Sequence, residues 1–387
     1  MEMKTVHIGD LGGIKTGSTP SKKNLDNYGD YALWIKPTDI NPDEKHTRVV
    51  EEMFSEKAAN DCRSRLIPAK SICVPCIGTV GTKLTMTPCD CFVNQSINAV
   101  IPNDDYDNDY VYYLLLNFLP NLKSINKGTA SGREYIAKSA FENIEIKVHS
   151  DITVQRIIGK ILSAYDDMID NCKKQIALLE EAAQRLFREW FVDLRFPGHE
   201  STPIGENGLP EGWEHEKVGS LLRKIKRSVL VQTADYKEAG SLPIIDQSRK
   251  FIAGYTDNLD TKVSENLPVI LFGDHTRILK FITFDFARGA DGTQLIISNN
   301  LERMPQCLFF LSLKNVDLSN YSYARHFKYL KEEKVLMPTV VLAQKFEAVI
   351  SLYFNEISVL QKIQNKCLNV RDILLPRLIS GQIELNA

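Results

Sequence analysis

Four cysteines form the densest group of candidate metal ligands in the chain. They are Cys73, Cys76, Cys89 and Cys91. Clustered thiolates are the ligands that zinc prefers in structural sites, so a thiol- or zinc-dependent enzyme is one interpretation. The first pair, however, lies in a strand-like run, in which successive side chains point to opposite faces. We therefore predict reduced structural cysteines without a metal, and the zinc site remains the alternative.

Asp274 and His275 are a second place where acid–base chemistry is conceivable. No serine or cysteine nucleophile motif accompanies them. The sequence also lacks a GxxxxGK[ST] phosphate loop, a GxGxxG cofactor loop and the Asn/Asp-Pro-Pro-aromatic tetrapeptide expected of adenine methyltransferases. We predict that this chain is not an enzyme and holds no cofactor of its own, and that Asp274 and His275 form a polar contact element.

The charge balance limits how this chain can meet an acidic partner. The chain has 387 residues and a formal net charge of -2. A nucleic-acid surface must therefore be local and offset by acidic surface elsewhere. The densest basic run is 223–227, which suits phosphate contact or a solvated face. Because we find no signal peptide and no apolar run of membrane length, we predict a cytoplasmic protein without a membrane partner.

Two segments have the apolar periodicity of long helices. In the first, about 152–191, seam positions recur at alternating steps of four and three, which is a heptad spacing. They are Ile161, Tyr165, Met168, Cys172, Gln175, Leu179, Ala182 and Leu186, and we add Trp190 as a packing residue. A shift of 189 residues carries the seam without a gap onto the second segment, about 341–375. There it comprises Ile350, Phe354, Ile357, Gln361, Gln364, Leu368, Arg371 and Leu375.

Each helical segment follows a longer segment rich in β-branched and aromatic residues, glycine and proline. Strand-like runs occur at 71–75, 98–101, 269–272 and 278–284, and 110–118 has the pattern of a short helix. Residues 6–9 resemble residues 216–219. We predict an α+β fold with two mixed, β-rich modules, 1–150 and 198–340, joined by two long antiparallel coiled-coil helices, 151–197 and 341–387. Two core helices of one domain, or an intermolecular coiled coil, are the alternatives.

Several phrases, in their order and spacing, resemble one protein family. They are TGSTP (16–20), WIKPTDI (34–40), IGTVG (77–81), NQSINA (94–99), LFREWFVD (186–193) with RFPG (195–198), LPEGWE (209–214), FGDHT (272–276) and LLPRLISG (374–381). The whole chain is similar to the specificity subunits of type I restriction-modification systems. In that family, two target-recognition domains alternate with two helical conserved regions.

The resemblance implies a function without catalysis. Each module would recognise one half of a bipartite site in double-stranded DNA, and the helical spacers would set the gap and dock methyltransferase subunits. Those subunits would bring S-adenosylmethionine and methylate adenine, and restriction subunits would add ATP- and Mg-dependent translocation and cleavage. A coiled-coil interaction protein without DNA recognition is a further alternative.

Polar loops in both modules are the expected DNA contacts, although solvated turns have the same composition. In the first module we predict Thr16, Ser18, Lys36, Thr38, Thr79, Lys83, Ser131 and Arg133. In the second module we predict Gln247, Ser248, Arg249, His275, Thr276, Arg277, Arg288, Asp291, Arg325 and His326.

Overall fold

A computed structural model describes residues 2–125, 134–225, 228–265, 267–289, 292–321 and 325–385. The chain divides into two compact units. Unit 1 comprises Met1–Lys173 and Ile363–Ala387, and unit 2 comprises Lys174–Lys362. Each unit therefore contains one globular module and segments of both long helices. The predicted boundaries at residues 150, 197 and 340 separate modules from helices and remain a prediction.

Unit 1 contains three small sheets and the helices that cover them. Its strands are β1 (Met3–His7), β2 (Gly12–Thr16), β3 (Tyr28–Gly29), β4 (Ala32–Ile35), β5 (Met53–Phe54), β6 (Ile72–Pro75), β7 (Thr85–Met86), β8 (Phe92–Val93), β9 (Ile97–Pro102) and β10 (Glu145–His149). The sheet orders are β1-β10, β2-β9-β6-β7 and β3-β5-β4-β8. Its helices are α1 (Glu56–Asp61), α2 (Asn108–Ile125), α3 (Lys138–Glu142) and the first part of α4 (Ile152–Phe187).

Unit 2 has the same three-sheet composition with different strand orders. Its strands are β11 (Glu214–Lys217), β12 (Leu230–Val231), β13 (Leu242–Ile245), β14 (Gly254–Thr256), β15 (Lys262–Val263), β16 (Val269–Gly273), β17 (Leu279–Ile282), β18 (Phe286–Gly289), β19 (Thr293–Ile296) and β20 (Lys334–Met337). The sheet orders are β11-β20, β12-β18-β13-β14 with β15 beside β18, and β17-β16-β19. Its helices are α5 (Gln306–Lys314), α6 (Phe327–Leu330) and most of α7 (Val340–Ile379). The predicted α+β class is confirmed.

The first and last strands of each module form an antiparallel pair, β1 with β10 and β11 with β20. After β1, a 3-10 turn buries Ile8, whose N–H donates to Ile144 O at 2.9 Å. After β11, the equivalent turn buries Val218, whose N–H donates to Glu333 O at 2.9 Å. The predicted likeness of 6–9 and 216–219 therefore has a structural basis.

The long helices are continuous over 36 and 40 residues, and in each unit their segments run antiparallel. In unit 2, Phe187 contacts Phe346, with ring centroids 6.3 Å apart, while Glu180 lines the same small cavity as Ile357. In unit 1, Asp166 Oδ1 accepts a hydrogen bond from Arg371 Nη1 at 2.6 Å. None of the helices in the described residues combines the length and apolar character that crossing a bilayer requires.

The most deeply buried residues of α4 lie one position after several of the predicted seam residues, whereas Cys172 is buried as predicted. Ile158, Leu162, Ile169 and Ala183 are fully buried or nearly so. Met168 is instead 46% exposed and Gln175 is exposed, so these two seam predictions were wrong. The remaining predicted packing positions are buried or half-buried, namely Ile161, Leu179, Leu186, Trp190, Ile350, Ile357, Gln364, Leu368 and Leu375.

A one-residue deletion at the strand–helix junction explains the error. Glu145 of β10 pairs with His7, and Lys334 of β20 pairs with Lys217. The equivalent strands β10 and β20 are therefore related by a shift of 189 residues. The helices begin at Ile152 and Val340, a shift of 188, and this shift carries buried Ile158 and Leu162 onto buried Phe346 and Ile350. Because one residue rotates a helix by about 100°, the missing residue moves the seam to another face.

The corrected seam gives a test on adjacent residues. Ile169→Ala removes a side chain that is 1% exposed, so we expect the free energy of unfolding to fall by roughly 2–5 kcal/mol. Met168→Ala truncates an exposed side chain and should change the free energy of unfolding by less than about 0.5 kcal/mol. Urea denaturation of both full-length variants is the measurement. Equal losses would show that the seam is not where the structure places it.

Candidate nucleic-acid interface

Unit 2 contains a cleft of about 850 Å³ that gathers several cationic side chains. Arg223, Arg288 and Arg325 line it together with His275. Asp274 is the one carboxylate among the described residues that line it, and it is only 3% exposed. This arrangement favours an anionic or acceptor-rich ligand. His275, Arg288 and Arg325 were predicted as DNA contacts from distant parts of the sequence, and they meet in this cleft.

A tight turn after β16 positions His275 in the cleft. Gly273 has no room for a side chain, because a Cβ there would lie 2.4 Å from Thr276 Oγ1. Gln247 Oε1 accepts a hydrogen bond from His275 N at 3.1 Å, and Thr276 Oγ1 donates to Gln247 O at 2.9 Å. The FGDHT phrase is thus a turn fastened to a neighbouring loop.

Gly292 forms the surface against which the His275 ring lies. Its φ of +80° favours glycine, and a Cβ there would lie 2.7 Å from His275 Cδ2. The backbone of Gly292 also accepts a hydrogen bond from Asp274 N at 2.6 Å. Residue 292 is therefore a glycine for both a backbone and a packing reason.

Arg325 is placed by its neighbour His326. The His326 ring is buried, with Nδ1 2.8 Å from Asp274 O and Nε2 3.1 Å from Tyr321 O. Asp274 Oδ1 also accepts a hydrogen bond from Phe327 N at 2.8 Å. These contacts hold the segment against the turn, so Arg325 faces the cleft. We predicted His326 as a DNA contact, but both of its ring nitrogens already face protein carbonyls, which gives it a positioning role.

Arg288 is held by a sheet and not by a loop. It lies on β18, where its backbone is paired with Leu230 of β12 on one side and Ile245 of β13 on the other. It is half-buried. By contrast, Arg277 faces a different cavity, where its Nη1 donates to Leu318 O at 3.0 Å. Ser248 and Arg249 are exposed on the loop beside Gln247 and do not line the cleft.

Lys280 is a buried cation beneath the 246–250 loop. It is 4% exposed, and its Nζ donates to the carbonyl oxygens of Lys250 and Phe251 and lies 3.9 Å from Asp246 Oδ1. Burial lowers the pKa of Lys280 to about 8, and Asp246 offsets part of that shift. Asp246 Oδ1 also accepts from Ser248 N at 2.8 Å. Lys280 thus fixes the loop that carries Gln247.

In unit 1 the predicted contacts are distributed over several local structures. Lys36 Nζ is paired with Glu51 at 2.7 Å and Glu52 at 2.9 Å. Burial would lower the pKa of Lys36, but these carboxylates outweigh it and raise the pKa. Thr38 is exposed in the 3-10 turn that follows. Lys36 is therefore already neutralised by the protein, whereas Thr38 is accessible.

The other unit 1 predictions are mostly engaged within the module. Thr16 Oγ1 donates to Asn98 Oδ1 at 2.7 Å, and Lys83 Nζ donates to Ile40 O at 3.1 Å. Ser18 and Thr79 are half-buried. Ser131, Arg133 and, in unit 2, Asp291 lie outside the described residues. The structure thus brings the unit 2 contacts together more clearly than those of unit 1.

The four clustered cysteines are divided between different environments. Cys73 and Cys91 lie in one apolar cluster, Cys76 lies in another, and Cys89 is exposed. Burial raises the pKa of both Cys73 and Cys76 to about 12, so these thiols are protonated at neutral pH. Among the residues that the structure describes, no group of three or more His, Cys, Asp or Glu side chains is placed to hold a metal ion.

Sequence reasoning did not select Lys280 and Gln294 as site residues. Gln294 lies on β19 opposite Phe272 and lines the cleft. A lysine within the apolar run 278–284 was the available signal for Lys280, since a charge in a buried strand needs a partner. No local pattern marks Gln294, because the sheet decides that its side chain lines the cleft.

The comparisons with known proteins agree with this architecture. Residues 1–181 match the Methylase_S family, described as the type I restriction modification DNA specificity domain. The type I restriction enzyme MjaIX specificity subunit of Methanocaldococcus jannaschii is 26% identical over 411 residues, covering 98% of this chain and 93% of that protein. The HindI specificity subunit of Haemophilus influenzae is 35% identical over 182 residues, covering 46% of this chain and 38% of that protein.

A solved structure has the same fold along the whole chain. The crystal structure of the type I restriction-modification S subunit from M. genitalium matches with a TM-score of 0.63 and 16% identity, covering 100% of this chain and 97% of that one. This chain therefore shares the fold of that subunit. Residues 1–181 thus match the family model, and 98% of the chain is similar to a type I restriction enzyme specificity subunit, in agreement with the resemblance found in its sequence.

The shifted pKa of Lys280 leads to a pH-dependent stability prediction. Unfolding restores the ordinary lysine pKa of 10.5, so between about pH 8 and 10.5 the unfolded chain binds more protons than the folded one. The free energy of unfolding of the wild type, relative to Lys280→Met, should therefore rise with pH across this window and be flat below it. Urea denaturation at several pH values measures the difference. A difference independent of pH would mean that Lys280 keeps an ordinary pKa.

Proposed function

We propose that this chain is the sequence-specific DNA-binding specificity subunit of a type I restriction-modification complex. The observation that carries the proposal is the cationic cleft of unit 2, in a chain of which 98% is similar to a type I restriction enzyme specificity subunit. Lysine and arginine contact phosphates, and bidentate arginine and glutamine side chains recognise base edges in the major groove. A cleft with three arginines supplies this chemistry although the whole chain has a net charge of -2.

Each module recognises one half of a bipartite site in double-stranded DNA. In unit 2 the contacts come from the cleft, with Arg223, Arg288 and Arg325 as its cationic residues and His275 beside them. In unit 1 the exposed polar candidate is Thr38, whereas Ser18 and Thr79 are half-buried. We also assign Ser131 and Arg133 to the DNA contacts. Two different modules on one chain suit an asymmetric site.

The long helices carry the surface for the methyltransferase subunits. In unit 2, α7 exposes Val341, Leu352 and Val359, which are 65%, 65% and 47% exposed. In unit 1, the same helix exposes Ile373 at 54%. Val341, Leu352 and Val359 follow one another at steps of eleven and seven residues, close to whole helical turns, and form in unit 2 the stripe that a partner helix covers. We assign this stripe to a helical segment of the methyltransferase subunit, and the spacing between half-sites to the helices that carry it.

Catalysis resides in the partners. The methyltransferase subunits bind S-adenosylmethionine and methylate adenine, and restriction subunits use ATP and Mg for translocation and cleavage. This chain contributes recognition and geometry. A zinc or thiol enzyme is disfavoured by the protonated, separated cysteines described above.

An assay of the isolated chain tests the adaptor role. We expect no methyl transfer from S-adenosylmethionine to DNA by the purified chain, because it supplies recognition and no cofactor site. Adding the methyltransferase subunits should give methylation of adenine in one bipartite motif. Methylated positions mapped on genomic DNA are the measurement, with the methyltransferase subunits alone as the control. Methyl transfer by this chain alone would contradict the proposal.

A module exchange tests the assignment of one module to one half-site. Replacing residues 213–339 with the matching segment of a relative should change one half of the methylated motif and leave the other half intact. The matched control replaces residues 4–150, which should change the opposite half. If either exchange altered both halves in an active complex, recognition would not be divided between the modules.

A further inference from the structure

The cleft of unit 2 contains polar side chains held in two different ways. Arg288 and Gln294 lie on strands, whereas Arg223 and Arg325 lie in loops and are exposed. All four line the same cleft. Because strands fix a side chain more tightly than loops do, the two pairs are suited to different tasks.

We infer that Arg288 and Gln294 recognise base edges in this half-site, while Arg223 and Arg325 hold phosphates. The inference rests on the proposed function and deepens it. It names a guanine as the partner of Arg288 and an adenine as the partner of Gln294. The fork of arginine matches guanine O6 and N7, and the amide of glutamine matches adenine N6 and N7.

The backbone around Arg288 supports this assignment. Hydrogen-bonded pairing to Leu230 and Ile245 holds residue 288 on both sides, and Ala287 is also paired with Lys262 of β15. Gly289 follows, where a Cβ would lie 2.1 Å from the hydroxyl of Tyr236. The strand is therefore closely packed on its other face, so Arg288 has little freedom to shift along the cleft.

The backbone of Gln294 is also held in place by strand pairing. It is paired with Phe272 on β16, the central strand of its sheet, and Phe272 is 1% exposed. Base recognition requires such fixed geometry, since a displaced donor pair loses its discrimination.

The loop arginines have the opposite properties. Arg325 is exposed beside the buried His326, and Arg223 is exposed in the segment after the Val218–Leu221 turn. Exposed cations suit phosphate contact, where charge matters and orientation matters little. The cleft thus combines half-buried donors on strands with exposed donors in loops.

Conservative substitutions separate the two roles in the complex with methyltransferase subunits. Arg288→Lys keeps the charge and loses the fork, so it should lower discrimination at one G·C position by roughly 10- to 100-fold. Its salt dependence of DNA binding should remain that of the wild type. Arg325→Lys is the matched control, and it should retain discrimination at every position.

Two further variants complete the test. Arg325→Ala should weaken binding to all sequences alike and reduce the slope of log affinity against log salt by about 0.9. Gln294→Met should relax one A·T position with an unchanged slope. Methylation rates on duplexes varied one base pair at a time, with affinities at several salt concentrations, are the measurements. If Arg288→Lys does not fold, Gln294→Met tests the inference instead. Unchanged discrimination at every A·T position would then contradict it.

The outcomes distinguish this inference from the proposed function. A wild-type complex without sequence-dependent methylation would overturn the function itself. A sequence-specific wild type whose Arg288→Lys variant keeps full discrimination, or loses affinity uniformly, would overturn the inference. Relaxation at a single position by Arg325→Ala would also overturn it, because that result would make a loop residue the base contact.

Discussion

The packing of helical segments from both halves of the chain is the constraint on which each unit depends. In unit 1, Leu375 and Leu378 of α7 enter the same core as Ile158 and Leu162 of α4. In unit 2, Phe346 of α7 packs against Trp190 and Phe191, with ring centroids 5.4 and 4.8 Å apart. Neither module therefore completes its core with contiguous sequence, and folding of each unit requires a long-range contact.

Equivalent positions of the long helices carry different kinds of side chain in the two units. In unit 1, Tyr113 OH donates to Asp166 Oδ2 at 2.5 Å, and Asp166 is also paired with Arg371. The shift of 188 residues carries Asp166 onto Phe354, which stacks edge-on with Phe310 at 5.4 Å. A buried ion pair tolerates few geometries, and losing one partner leaves an unpaired buried charge, so it specifies alignment more strictly than an aromatic cluster does.

Electrostatics in unit 2 are organised around the cleft. Carboxylates near it serve the fold: Asp274 accepts from Phe327 N, and Asp246 lies beside Lys280. Burial raises the pKa of Tyr236 to about 12 with help from Asp246, so its phenol remains a donor toward that carboxylate. These carboxylates therefore contact the backbone and Lys280 of their own module. In unit 1, by contrast, the charge of Lys36 is neutralised by ion pairs with Glu51 and Glu52.

The sequence by itself determined the features that depend on near neighbours. The two long helices, several strands, the FGDHT turn and the duplicated β1 and β11 regions follow from periodicity and turn chemistry, which act over a few residues. Tertiary structure decided which face of α4 is buried, because a single missing residue between strand and helix rotates the seam by about 100°. It also decided that Arg223, Arg288 and Arg325 share a cleft. Arg288 lies on β18, whereas Arg223 N donates to Ile297 O after β19 and His326, next to Arg325, contacts Asp274 O after β16. Contacts so distant in sequence leave no local pattern to detect.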